Sequence, residues 1–284
     1  MGLGRGVDML YSRWWANSRF GNNNEGLSIL DLVNSDTLDC KLAALLWLLM
    51  EHRASVLVAA GPTFAGKTTL LHALLDFLPP ELQRISLKGY YEDFKFLDHS
   101  QPEKTYLVAE EISNHAFFDF EYLWGFNAVR VFKLLPQGYA LGATMHARSS
   151  EEVIYILHRV LGLPLPLLSQ LGIVVTLHAT AGRNYEDEPI RRVNSVDLIL
   201  PHKEGLAIQV LAARQYTENG FDYQAERTLQ QALAGKGLVG KCRVDAEIET
   251  RKQFLRHLRQ KGQSSRSAVR NAVLNYYRSK TTSY

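Results

Sequence analysis

An apolar run at 55–60 leads straight into Gly61-Pro62-Thr63-Phe64-Ala65-Gly66-Lys67-Thr68 and then into a helix-forming stretch. The octapeptide fits G-x-x-x-x-G-K-[ST] at every defined position, and a strand before it with a helix after it is the context that motif requires. Glycine lets the backbone curl so that successive N–H groups face one phosphate, and the start of the following helix adds its partial positive charge. On this reading residues 61–69, through Thr69, cradle the phosphates of ATP. Lys67 neutralises the terminal ones, and the Thr68 hydroxyl takes one place on Mg2+. The plainer alternative is a strand–helix turn that binds nothing.

A triphosphate site of this kind needs a carboxylate from a second strand. Residues 105–111 form an apolar run ending in Glu110 and Glu111. Glu111 is the better candidate to hold Mg2+ through water or to polarise an attacking water, because Glu110 alternates to the other face; an ordinary solvated strand end is the competing account. The segment 138–146 reads as a strand ending with Thr144 and His146 on one face. His146 there suits a polar sensor of the γ-phosphate, although a lone histidine is more often part of a core. Glu92 and Asp93, soon after another strand, are candidate general bases or solvated loop acids.

Alternation along the chain gives the fold class. Strands are expected at 55–60, 84–87, 105–109, 140–146, 173–178, 195–200 and 206–211. Helices are expected at 37–52 (capped by Asp36 or Thr37), 67–78, 115–135 with a break near Gly125, and 151–161. The early strands are continuous apolar runs, as strands covered on both faces should be. Repeated strand–helix–strand order predicts an α/β domain over 28–222 with a predominantly parallel sheet, its later strands antiparallel at one edge. Residues 1–27, with Trp14, Trp15 and Phe20, read as an N-terminal arm. Residues 223–284 read as a basic helical appendage with helices at 223–234, 245–260 and 265–277.

Charge and composition exclude several classes. Of 284 residues 46% are hydrophobic and 21% charged, which is incompatible with a wholly disordered chain. The net charge of +3 hides an asymmetry: residues 241–284 hold 11 Lys/Arg against 3 Asp/Glu. No DNA-reading motif accompanies those basic residues, so nucleic acid is not the expected partner. Two cysteines, Cys40 and Cys242, make no disulfide framework or metal spacing. The longest apolar run, 42–50, is about half of a membrane span, and residues 1–26 lack the apolar core of a secretory signal.

Taken together, these segments resemble the motor ATPases of type II secretion, type IV pilus and archaellum systems, particularly their tight-adherence and archaeal branch. The resemblance runs through residues 28–80, PEKTYLVAEEI at 102–112, GYALGATMHA at 138–147, RRVNSVDLIL at 191–200 and AEIETRKQFLRHL at 246–258. It implies a RecA-like P-loop core, ATP and Mg2+ as cofactors, Glu111 as the family glutamate and His146 in the histidine box. It also implies a hexameric ring working with a platform protein at the inner face of the cell membrane, hence a cytoplasmic, membrane-peripheral location.

Several departures bear on turnover. Residues 1–30 are too few to form the family's usual N-terminal domain, which supplies arginines to the nucleotide. Gly89 and Tyr90 stand where its acidic box opens, leaving Glu92 or Asp93 for the later acid. Ser113 and Tyr139 replace a family arginine and histidine, and His99 sits near another arginine's place. The stretch between Glu111 and Gly138 is longer than usual and holds Phe117, Phe118, Phe120, Tyr122, Trp124 and Phe126, a lid or docking surface if exposed and core if not. Arg130, Arg148, Arg159, Arg183, Arg191 and Arg192 are candidate replacements for the lost arginines. The main expectation is an ATP-hydrolysing motor; the alternative is a nucleotide-bound structural or regulatory subunit that turns over slowly.

Overall fold

The computed structural model describes residues 26–61, 64–114, 121–180, 189–203, 205–215, 220–239 and 243–281. Its strands are β1 (Val56–Ala59), β2 (Gln83–Ser86), β3 (Thr105–Ile112), β4 (Tyr122–Leu123), β5 (Ala140–Met145), β6 (Ile173–Thr180), β7 (Ile190–His202), β8 (Gly205–Gln215) and β9 (Gly220–Tyr223). They form one sheet in the order β2-β3-β5-β1-β6-β7-β8-β9, with β4 added to β3. Pairing is parallel from β2 through β6 and antiparallel from β6 through β9. The sheet is therefore mixed, with its antiparallel part at one edge as expected. The last strands are longer than their apolar runs: β7 and β8 continue as a partly solvated hairpin whose ends carry polar residues.

Alternation along each strand divides the core in two. Val56, Val58, Tyr106, Val108, Ile173 and Val175 face one layer of helices, whereas Leu57, Ala59, Leu107, Leu141, Ala143 and Val174 face the other. The first layer holds α1 (Ile29–Asn34), α2 (Cys40–Glu51) and α3 (Lys67–Leu75). The second holds α4 (Gly125–Phe132), α5 (Ser150–Tyr155) and α6 (Leu165–Leu168). Three further helices follow: α7 (Glu226–Gly235), α8 (Val244–Gln260) and α9 (Arg266–Thr281).

Helix α2 explains the longest apolar run. Leu42 through Met50 are fully buried on every side because α8 and α9 cover the face turned away from the sheet. Each leucine so buried contributes about 1.5–3 kcal/mol. Trp47 is the hub: it stacks on Phe77 at 5.1 Å, meets Phe254 and Tyr276 edge-on, and donates from Nε1 to Tyr277 Oη at 2.8 Å. The basic C-terminal helices thus share the core of α2. Two of their cations join that contact: Arg251 is wholly buried between Glu51 and Glu247, and Lys280 pairs with the same two acids.

Several boundaries differ from expectation. Helix α2 starts at Cys40 because Asp39 caps it, accepting from Leu42 N at 2.7 Å, while Asp36 turns the chain at φ +57°. Helix α1 was not expected; its six residues are held by a reciprocal capping box of Ser28 and Asp31. Gly125 opens α4 with a positive φ instead of breaking a longer helix, and β4 occupies part of the stretch expected to be helical. Helix α3 ends at Leu75, and α5 passes into a π-helical turn at Ile156–Val160. Residues 1–25 of the expected arm at 1–27, together with Phe117, Phe118, Phe120, Arg183 and Cys242, lie outside the described residues. Cys40 is buried as a free thiol. Among the described residues no helix is long and apolar enough to cross a membrane.

Candidate functional site

The central strand β1 is buried throughout and lies between β5 and β6. It delivers the chain to Gly61 at the carboxyl edge of the sheet; Pro62 and Thr63 lie outside the described residues. Phe64 and Gly66 both take left-handed conformations, φ +63° and +90°, and so reverse the chain into α3. Gly66 is the N-cap of α3 and has no side chain to cap its first turn, a helix start that suits an anion. A side chain at Gly61 is disfavoured for a different reason: its Cβ would stand 2.7 Å from Arg148 Cγ.

Lys67 is only 6% exposed, and its Nζ lies 3.3 Å and 3.4 Å from the two ring nitrogens of His146. Burial pushes the ammonium below the usual lysine range, and the Glu111 carboxylate opposes part of that shift. His146 follows β5 directly. Its Nε2 stands 3.3 Å from Glu111 Oε1, and its Nδ1 stands 3.4 Å from the carbonyl of Gly61. Three separate strand ends thus bring Lys67, Glu111 and His146 together.

The break in register between β3 and β5 after Ala109 separates the roles of the two glutamates. Glu110 faces α3, where it meets His72 at 3.1 Å. Glu111 is buried, and its Oε1, despite its proximity to His146, is in hydrogen-bonding geometry with no group among the described residues. An orphaned buried carboxylate oxygen beside a lysine fits a missing cationic or water partner. Thr68, exposed in the first turn of α3, has a hydroxyl open to solvent, whereas Ala65 is buried and Thr69 half-buried. Among the described residues no three His, Cys, Asp or Glu side chains form a metal cluster. A Mg2+ ion here would therefore need nucleotide oxygens and water for most of its shell, which is its usual habit.

Other expected residues are placed elsewhere. Thr144 shares a face with His146, but its hydroxyl donates to the Glu110 carbonyl at 2.5 Å, a strand-to-strand tie. Glu92 accepts from the backbone N–H groups of Lys88 and Phe94, and Asp93 pairs with Lys88 and Lys95, so both acids brace their own loop. Of the candidate arginines, two border the loop that leads from Gly61 to Gly66. Arg191 Nε donates to the Phe64 carbonyl at 3.0 Å, and Arg148 lies across Gly61. Arg130 stacks on Phe94, and Arg192 pairs with Asp36. Tyr139 is a core residue whose hydroxyl meets Ser100, and His99 is exposed. Phe126 is exposed, on the helix where neighbouring Asn127 donates to the carbonyls of Gly89 and Tyr90.

Asp197 escaped sequence reasoning. It is 5% exposed on β7, accepts from Ser150 Oγ at 2.6 Å and Ser195 Oγ at 2.7 Å, and burial pushes its carboxyl up. Ser150 opens α5, so Asp197 pins the turn that carries His146 and Arg148. A lone Asp inside an apolar strand, VNSVDLIL, was the available signal.

No family model matches this chain. It is 24% identical over 260 residues to "Uncharacterized protein MJ1287" of Methanocaldococcus jannaschii, covering 80% of this chain and 90% of that protein. It is 26% identical over 192 residues to "Uncharacterized protein MJ0900" of the same organism, covering 61% of this chain but 33% of that one. Among solved structures it is similar to the VirB11 ATPase of the Brucella suis type IV secretion system, at TM-score 0.37 and 19% identity, covering 55% of this chain and 50% of that one. It is also similar to the ATPase DotB of Yersinia pseudotuberculosis, at TM-score 0.40 and 12% identity, covering 88% of this chain and 63% of that one.

Proposed function

We propose that residues 28–222 are a RecA-like P-loop core that binds Mg–ATP on residues 61–69 and hydrolyses it. The observation that carries this reading is the convergence of Lys67, Glu111 and His146 beside a glycine-bearing loop with an uncapped helix start. The strand order supports it, since β5 lies between the loop strand β1 and the carboxylate strand β3 and delivers His146 between them.

Each side chain has a distinct task. Lys67, held below its normal basicity by burial, gains a counter-charge when a γ-phosphate enters. Glu111, whose Oε1 makes no hydrogen bond among the described residues, would orient the attacking water and, with Thr68, would hold Mg2+. Bound Mg2+ supplies neutralisation of charge on the β- and γ-phosphate oxygens. His146, within reach of both Lys67 and Glu111, registers whether the γ-phosphate is present. Arg148 and Arg191 border the loop from within the same chain and take the place of arginines expected from elsewhere. Work on a platform protein by a hexameric ring, at the inner face of the cell membrane, is the motor reading of the sequence resemblance, and it belongs to this proposal.

The test is a Mg2+-dependent phosphate-release assay on the full chain with a nucleotide-binding titration alongside. Glu111→Gln should keep nucleotide binding while release falls by a factor of about 100 or more, as loss of a water-orienting group implies. Unchanged release in that variant overturns the assignment of Glu111. The bracing of Glu92 and Asp93 within their own loop favours the second reading, a nucleotide-bound subunit that turns over slowly. Wild-type turnover above about 1 s⁻¹ rules that second reading out.

A further inference from the structure

A second cavity, of about 360 Å3, opens at the opposite end of the central strands, where β1, β5 and β6 begin. Four residues of β1, or about 13 Å at the usual rise per residue, separate it from the phosphate loop. His52, Arg53 and Lys236 line it together with Ser55, Ser169 and Gln170, and among the described residues no aspartate or glutamate lines it. Its size falls within the range of about 300–1,000 Å3 typical of small-ligand sites.

The cations are held in place. Arg53 takes a left-handed conformation at φ +58°, and its Nη2 donates to the carbonyls of Pro102 at 2.8 Å, Gly138 at 2.7 Å and Thr105 at 3.3 Å. That fixes the guanidinium while its Nε, a buried donor, has no partner among the described residues. Glu103, outside the cavity lining, is the acid whose charge acts on Arg53. Lys236, which ends α7, donates to the carbonyl of Ser169; among the described residues no carboxylate lies within ion-pairing distance of it. Burial pushes its ammonium down to about 8. Ser55 Oγ accepts from Leu141 N at 3.1 Å and keeps its own proton to donate.

We propose that this cavity binds a phosphate-bearing small molecule. A guanidinium fixed in the cavity wall, an ammonium with no carboxylate within ion-pairing distance among the described residues and a hydroxyl with a donor to spare suit an oxyanion of more than one charge. Such a ligand would tie α7 to the strand starts, and through α7 the helical layer to the sheet. The site needs neither the phosphate loop nor its chemistry.

The probe is inorganic phosphate, and the full-length Lys67→Ala variant removes the competing loop site. Acylation of Lys236 at pH 8, read by peptide mass spectrometry, should slow about tenfold when millimolar phosphate is added. Calorimetry should show phosphate binding that persists in Lys67→Ala and weakens tenfold or more when Lys236→Met is added, as loss of one charge-assisted hydrogen bond implies. Lys236 labelling indifferent to phosphate, or phosphate affinity unchanged by Lys236→Met, overturns the proposal. Equal protection by acetate overturns the assignment to phosphate.

Discussion

Replacing Lys67 by methionine should separate folding from nucleotide binding. The lysine is 6% exposed, and the groups nearest its ammonium are the His146 ring, at 3.3 Å and 3.4 Å, and the Glu111 carboxylate. Its folded pKa is depressed by burial, so at every pH below the folded value folding carries the full penalty of dehydrating the cation. Methionine keeps the length and the apolar stem without the charge. At pH 7 the nucleotide-free variant should therefore be as stable as the wild type or more so, with loss of the attraction to Glu111 offsetting part of the gain. Nucleotide reverses the order. At a ligand concentration of about 100 Kd the wild type gains about 2.7 kcal/mol, equivalent to 5 °C or more in Tm. Loss of a charge-assisted hydrogen bond raises Kd by about 10- to 150-fold, which cuts the gain at the same concentration to below about 1.5 kcal/mol. Scanning calorimetry with and without Mg–ATP reads both halves. An undiminished nucleotide shift would show that the loop does not hold phosphate. A nucleotide-free loss above about 1 kcal/mol would refute the account of Lys67 as a strained charge.

Four further outcomes follow from the same geometry. Glu51→Gln leaves the wholly buried Arg251 with Glu247 as its remaining acid and should cost about 3 kcal/mol in urea unfolding; a cost below about 1 kcal/mol would contradict the buried ion-pair account. Trp47→Ala removes the hub between α2 and the C-terminal helices and should cost about 3–5 kcal/mol, with near-neutral stability as the refuting result. Lys236, depressed to about 8 from an ordinary value near 10.5, destabilises the fold below pH 8, and the penalty fades as pH rises toward 10. Lys236→Met should therefore exceed the wild type by about 1–2 kcal/mol at pH 7, after discounting for partial exposure, and by only about a quarter of that at pH 10; a pH-independent difference would exclude this cause. Arg148→Ala and Arg191→Ala should each lower phosphate release more than nucleotide affinity, and equal losses in both would assign them to ground-state binding.

Much of the sheet was legible because its central strands carry their own pattern. Val56 to Ala59 is apolar at every position, as burial on both faces demands, and the register with β5 and β6 follows once the three strands lie side by side. The strand–loop–helix turn that carries Lys67 was legible for the same local reason: the motif, the strand before it and the helix after it are contiguous in the chain. Element ends were less so. Asp39 rather than Asp36 caps α2 because Asp36 is spent on a left-handed turn, a choice made by the packing of α1 against α2 and α3.

By itself, then, the sequence determined the α/β class, the antiparallel edge and the glycine–lysine motif at 61–68, each of which rests on neighbours within a few residues, and it marked Glu111 and His146 as candidates at strand ends. Only the tertiary structure decided which arginines border the loop, that Glu92 and Asp93 brace their own turn, that Asp197 holds the α5 start, and that the basic C-terminal helices bury α2 instead of standing apart. Apart from the Glu92–Asp93 turn, those outcomes join residues dozens to hundreds of positions apart, such as Phe64 with Arg191 and Trp47 with Tyr277. A contact of that separation depends on how layers stack and where strands end, and no local pattern in the chain encodes it.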